Sequence, residues 1–274
     1  MKTFTVENDC DLKTFTDCVF PQGAFCLAAL LRARDVKVNG VRVGRGGFAL
    51  KTGDIVAYYT NFKQESAPSH TVIYQDENAL IADKFSGVSV EGLTRELREK
   101  GDYRPCHRLD RNTQGLLAFA KNDGAEREIL SAFKERRVEK EYIALCKNNF
   151  KEKSAVLTAF LVKDDKKSLV KVFAKPVAGG VKIVTEYEVL RVSGDIALVR
   201  VKLHTGKTHQ IRAHTAFIGC PVLGDEKYGD NALNAKYNAK RQRLISKSLK
   251  FEFTGGLAYL NGKEFKSNFD FDEI

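Results

Sequence analysis

Apolar residues recur along this chain in short bursts. Leu27, Leu30 and Leu31 fall on one helical face, and Val36, Val38, Val41 and Val43 flank Asn39-Gly40, the pair most typical of a two-residue hairpin turn. A helix feeding a tight hairpin is therefore predicted near the N-terminus. Leu116, Leu117, Ala118, Phe119 and Ala120 follow Gly115 without a polar break, the pattern of a strand buried on both faces. Asp123 reads as the cap of a helix with Glu126 at its third position and Ala125, Ile129 and Phe133 on one face, ending near Arg136 or Arg137. Alternation then puts Val138, Lys140, Tyr142, Ala144 and Cys146 on one side of a strand, with Ile143 and Leu145 on the other. Strand-like runs continue at 154–162, 169–174, 181–190 and 196–204, with turns at Ala178-Gly179-Gly180 and Ser193-Gly194-Asp195. A last helix is predicted from about Thr208, which can cap it, to Gly219, with Pro221 beyond. Strands predominate and helices are interspersed, so the expected class is α+β with a mainly antiparallel mixed sheet and flanking helices.

The stretch NFKQESAPSH, residues 61–70, is polar and aperiodic and reads as a linker between a small unit, 1–60, and a larger one, 71–274. With 274 residues, 43% of them hydrophobic, the chain can bury one sizeable core and a second small one. Its formal charge of +10 favours polyanionic partners, nucleic acid before a membrane surface. Arg32, Arg34, Lys37, Arg42 and Arg45 face a single acid, Asp35, within one short stretch; a solvated face explains that nearly as well as RNA does. The longest uncharged stretch, from Cys18 to Leu31, is too short to span a bilayer, and no secretion signal opens the chain, so a cytoplasmic location is expected. The six cysteines form no C-x-x-C pair and read as free thiols.

Two stretches carry candidate chemistry. In RPCHRLDRNTQGLLAF, residues 104–119, Asp110 stands between Arg108 and Arg111; on local signals alone it is a turn residue paired with one of them. In LHTGKTHQIRAHTAFIGCPVLGDEKYGD, residues 203–230, Ile211, Thr215 and Ile218 share a helix face while Arg212 lies off it, free to point into a site. His204, His209 and His214 invite a metal reading, but helix positions five apart sit about 140° apart around the axis and cannot chelate one ion. Asp225, Glu226 and Asp230 could hold a cation instead, although LGDEKYGD is equally a turn sequence. Glycoside hydrolysis uses two opposed carboxylates. The Asp110 motif supplies one, which suits holding a detached base and rejoining it without activating water.

HRLDRNTQGLLAFAK resembles the H-R-L-D-x-x-T-S-G-L-L-x-x-A-K signature of the RluA-type RNA pseudouridine synthases, and LHTGKTHQIRAHTAFIGCPVLGDEKYG resembles their L-x-T-G-R-T-H-Q-I-R-x-H motif; the likeness extends over about residues 71–253. Residues 10–60 resemble the S-four RNA-binding module through the helix, the basic turn, V-x-V-N-G and G-D-x-V. The resemblance implies a cofactor-independent isomerase. Asp110 would be its catalytic aspartate, attacking the anomeric carbon or the uracil ring or acting as a base at the sugar. Tyr142 would stack on the flipped base, Arg212 would pair with the carboxylate, and Arg108 would help displace the target nucleotide. It also implies an RNA partner, large-subunit ribosomal RNA ahead of transfer RNA, gripped in part by Arg32, Arg34, Lys37, Arg42 and Arg45. A non-catalytic RNA-binding or assembly protein is the competing reading. The chain departs from the family pattern at Phe85 within KFSG, at Gln114, at Lys207 (here an RNA-facing cation where the family has arginine) and in RQRLISKSLKFEF, which lacks L-H-A.

Overall fold

The computed structural model describes residues 1–20, 23–60, 68–164 and 169–271, with the backbone alone for 23–26. The first sixty residues form β1 (Lys2–Thr5), β2 (Cys10–Asp11), α1 (Leu12–Val19), α2 (Gly23–Ala33), β3 (Val36–Val38), β4 (Val41–Arg42), β5 (Ala49–Leu50) and β6 (Ile55–Tyr58). Asn39 and Gly40 both take left-handed backbone, φ 49° and 81°, as a hairpin turn matched to strand twist requires. Lys37 then pairs with Arg42 across β3 and β4. The sheet order is β1-β6-β3-β4, and Leu12, Leu27, Leu30, Val36, Val56 and Tyr58 bury a small core of their own.

The rest of the chain builds one large sheet from β7 (His70–Gln75), β8 (Ala79–Lys84), α3 (Val90–Arg98), β9 (Arg104–Pro105), β10 (Gln114–Ala120), α4 (Asp123–Lys134), β11 (Val138–Lys147), β12 (Ser154–Asp164), β13 (Leu169–Phe173), β14 (Val181–Ser193), β15 (Ile196–Leu203), α5 (Gln210–Phe217), α6 (Asn231–Lys236), β16 (Leu244–Phe251) and β17 (Glu264–Lys266). Its order is β13-β12-β14-β15-β11-β16-β10-β8-β7, with β9 on β10 and β17 on β16. Among the described residues every pairing is antiparallel except β10 with β16, where Gln114 and Gly115 run parallel to Ile245 and Ser246. The alternation and turn signals locate the five strands between 138 and 204 to within a few residues, and miss β16 and β17.

Differences from expectation have local causes. His70 already belongs to β7, and the Ser69 carbonyl accepts from Phe85 N at 2.9 Å, so the chain is ordered into the sheet before the expected linker ends; residues 61–67 lie outside the described residues. Asn122, not Asp123, caps α4, its side-chain oxygen accepting from Ala125 N at 2.9 Å, and the helix stops at Lys134 because Arg136 turns left-handed. α5 starts at Gln210 and has no Thr208 cap; the residue before it, His209, is itself left-handed with φ 54°. Among the described residues no helix is long and apolar enough to cross a membrane.

α1 lies against α3, at the edge of the large sheet's core. The Asp17 carbonyl accepts from Ser89 Oγ at 2.8 Å, and its carboxylate forms an ion pair with Arg111. The N-terminal unit is thereby fastened to the residue that follows Asp110.

Candidate active site

Asp110 sits in the loop between β9 and β10. Its carbonyl accepts from Thr113 N at 3.1 Å, so by backbone it is the turn residue that local signals suggest. Its side chain does something else. Arg111 pairs with Asp17, and Arg108, with 74% of its side chain exposed, reaches Glu91 at 3.7 Å, so neither neighbouring arginine takes the carboxylate. Oδ2 instead accepts from Arg212 NH1 at 2.8 Å, across 102 positions of sequence.

The loop is pinned on several sides. His107 Nε2 accepts from Ala118 N at 3.0 Å, and burial, with Lys140 nearby, pushes that imidazole down to about 3, so it stays a neutral acceptor. Thr113 Oγ1 accepts from Gln242 at 2.8 Å. Lys84, wholly buried, points its ammonium at the carbonyls of Phe85 (3.2 Å), Val88 (2.9 Å) and Arg111 (2.9 Å). Burial pushes Lys84 down to about 7 while Asp110 and Glu91 oppose the shift.

Arg212 projects from α5 with 8% of its side chain exposed. Its planar fork is not spent on Asp110: Nε and NH2 grip both oxygens of Asp225 at 2.7 and 2.9 Å, leaving NH1 for Asp110. The pairing of Arg212 with Asp110 therefore runs through one nitrogen and not through the fork. Asp225 is fully buried and also accepts from Lys227 N and Tyr228 N, at 2.8 and 3.1 Å. Burial works against its charge, yet Arg212 and those amides hold the carboxyl below the usual carboxylate range. Burial likewise disfavours the guanidinium charge, which Asp225 and then Asp110 more than restore. The cation reading of Asp225 therefore gives way to an anchor for Arg212.

Tyr142, on β11, is buried beside them, its phenol pushed up to about 12 by burial, so it is a neutral ring at physiological pH. Lys140 lies two residues earlier on the same strand face, its ammonium 5.8 Å from the Phe133 ring. Together with Leu109, Ile211, Leu244 and the loop 206–209 these residues line a cavity of about 360 Å³, at the lower end of ligand-pocket sizes. Asp110, Tyr142 and Arg212 thus meet in one pocket, with Arg108 and Lys207 on its wall.

The structure does not bring the other expected cations into that pocket. Arg32, Arg34, Arg42 and Arg45 are exposed on the N-terminal unit, and Lys37 is half-buried with its ammonium 5.2 Å from the Tyr59 ring. The three histidines have separate partners: His204 meets Glu186 at 2.9 Å, His209 meets Tyr228 at 2.9 Å and His214 meets Thr185 at 3.0 Å.

A fixed carboxylate, a cation on one of its oxygens and a buried aromatic ring suit a single flat base brought out of its stack. A family model described as RNA pseudouridylate synthase matches residues 82–217, which include all three groups. The chain is 31% identical over 251 residues to a Vibrio cholerae protein named ribosomal large subunit pseudouridine synthase C, an alignment covering 81% of this chain and 78% of that one. It is 32% identical over 208 residues to a Borreliella burgdorferi protein named ribosomal large subunit pseudouridine synthase D, covering 68% and 61%. Among solved structures, the human protein named RNA pseudouridylate synthase domain containing 1 superposes with a TM-score of 0.60 at 26% identity, covering 74% of this chain and 91% of that one. With the pocket, the matched motifs and relatives of this identity and coverage in agreement, the chain belongs to the RluA-type RNA pseudouridine synthases.

Proposed function

We propose that this enzyme isomerises uridines of large-subunit ribosomal RNA in the cytoplasm, with Asp110 as its catalytic carboxylate and no cofactor. The observation that carries the reading is the buried Asp225–Arg212–Asp110 array opening onto the Tyr142 ring. Isomerisation breaks the bond from N1 of uracil to the ribose, turns the base and joins its C5 to the same sugar carbon; the proton leaves C5 and N1 gains one. One carboxylate at the sugar, an aromatic face for the free base and a cation that keeps the carboxylate oriented meet those needs. The named relatives act on large-subunit ribosomal RNA, which favours that substrate over transfer RNA. Residues 1–60 serve as an S-four-like RNA-binding domain, with Arg32, Arg34, Lys37, Arg42 and Arg45 on phosphates, residues 61–70 as its link, and 71–274 as the catalytic domain. Arg108 helps displace the target nucleotide, and Lys207 contacts the RNA at the pocket wall.

Mapping pseudouridines across ribosomal and transfer RNA, in cells with and without the protein, tests this. Sites lost from large-subunit ribosomal RNA, restored by the wild type and not by Asp110→Asn, are expected. Sites lost only from transfer RNA would overturn the substrate, and restoration by Asp110→Asn would overturn the role of the carboxylate.

A further inference from the structure

His209 holds a backbone conformation that side chains avoid, φ 54° and ψ 18°, immediately before α5. Such a residue costs on the order of 1 kcal/mol or more and persists where its surroundings dictate it. Here the next residue supplies the constraint: the Gln210 side chain is bonded to Thr205 Oγ1 (2.9 Å), Lys207 N (3.1 Å), Val184 O (3.1 Å) and Thr185 Oγ1 (3.0 Å). With the backbone so held, the imidazole lines the catalytic pocket, Nε2 lying 3.8 Å from Asp110 Oδ1. That oxygen is the one Arg212 leaves alone.

The partners of His209 favour one tautomer of its ring. Tyr228 Oη accepts from Val170 N at 2.8 Å and lies 2.9 Å from His209 Nδ1. A phenol has one proton to give, and with Val170 on its oxygen the neighbouring acceptor is Nδ1. In that tautomer Nε2 bears the hydrogen and faces Asp110, 3.8 Å from Oδ1.

We propose that His209 is a positioning residue for catalysis: a neutral imidazole, held by Tyr228 in the Nε2–H tautomer, steadies Asp110 Oδ1 and fixes the carboxylate plane toward the substrate. The inference rests on Asp110 being the reacting group. A neutral donor orients the oxygen, whereas an imidazolium would add a second full ion pair to a carboxylate that already faces Arg212 and would blunt its reactivity. The groups around the ring favour neutrality on balance. Burial acts first, Arg212 and Lys227 reinforce it, and Asp110 and Asp225 oppose it. Removing the Tyr228 hydroxyl takes a hydrogen bond from the neutral form, so protonation becomes easier and the acid side of the rate profile moves to higher pH.

The test uses the full-length protein and large-subunit ribosomal RNA from cells lacking it, with single-turnover rates at saturating RNA beside dissociation constants and melting temperatures. His209→Leu is expected to lower the saturated rate on the order of 100-fold with little change in RNA affinity. His209→Gln, whose amide can donate from a similar position, recovers most of that loss. Tyr228→Phe shifts the acid limb upward, toward the ordinary imidazole range. A wild-type rate in His209→Leu, a Gln variant as defective as Leu in a folded protein, or a Tyr228→Phe profile that superposes on wild type would each overturn the inference. Asp110→Asn is measured alongside: if it is inactive while His209→Leu is normal, the inference about His209 fails alone, and if it is active, the assignment of Asp110 fails with it.

Discussion

Arg212 serves two carboxylates with one guanidinium, and the division decides what its replacement does. Arg212→Lys keeps a charge but cannot reach both Asp225 oxygens and Asp110 from one point, so turnover should fall while the fold survives. Arg212→Met strips the partner from a fully buried Asp225 and should cost about 3–5 kcal/mol of stability as well as nearly all activity. Asp225→Asn, outside the matched family segment, should reduce the single-turnover rate through Arg212 with RNA affinity largely retained. Because Asp225 titrates below the carboxylate range in the folded protein, its contribution is complete above about pH 4 and is lost as pH falls through that depressed value; Asp225→Asn should flatten this acid limb of the unfolding curve. Asp110 and Arg212 were legible in the sequence because long motifs carry them. Asp225 was not, since an aspartate in LGDEKYG satisfies a turn as readily as it anchors a guanidinium 13 positions away. Lys84 was hidden for a similar reason: its burial and its three carbonyl partners are facts of packing.

Among the elements, β10 fixes one end of the Asp110 loop, since it runs on from that loop and abuts β16. Gly115 has φ 107°, and a Cβ there would run into the backbone of Ser246. Gly115→Ala is therefore expected to destabilise the protein by roughly 1–3 kcal/mol, read from denaturant unfolding, and to slow turnover by separating β16, with Leu244, from the pocket. The strand was predictable from five consecutive apolar residues, because burial on both faces leaves that signature. Its parallel partner was not, since a pairing between residues 114 and 245 has no local sequence signal. The start of α5 was misplaced because Thr208 is a sound cap by residue type, while the side chain that organises the turn is Gln210, bonded to residues of β14 that are distant in sequence.

For the whole molecule, the expected division into a basic N-terminal unit and a larger catalytic unit leaves open how the two meet, and charge patterning carries no information on that. Removing residues 1–60 should reduce the salt dependence of RNA binding by as much as about 0.9 in the log–log slope for every phosphate that the unit neutralises. It should also lower the rate at saturating RNA, because Arg111 would lose Asp17 and stand half-buried next to Asp110 without its partner. Asp17→Asn isolates the second effect: turnover falls, and the salt slope remains that of the intact protein. An Asp17→Asn enzyme with a wild-type saturated rate would show that the ion pair only docks the two units.

The Asp17–Arg111 pair has a thermodynamic corollary. Arg111 O is held by Lys84 and by Gly87 N while its side chain meets Asp17, so α1 and the loop after Asp110 are tied through one residue. If RNA favours the docked position of α1, it must by the same free energy favour the arrangement of the catalytic loop that goes with it, and a base seated in the pocket must tighten the hold of the N-terminal unit by an equal factor. Affinity for the body of the RNA and readiness at the target uridine then form a single reciprocal quantity. It can be measured from either end, as the change in RNA affinity when the pocket is filled or as the change in pocket occupancy when the N-terminal unit is engaged, and the two values must agree.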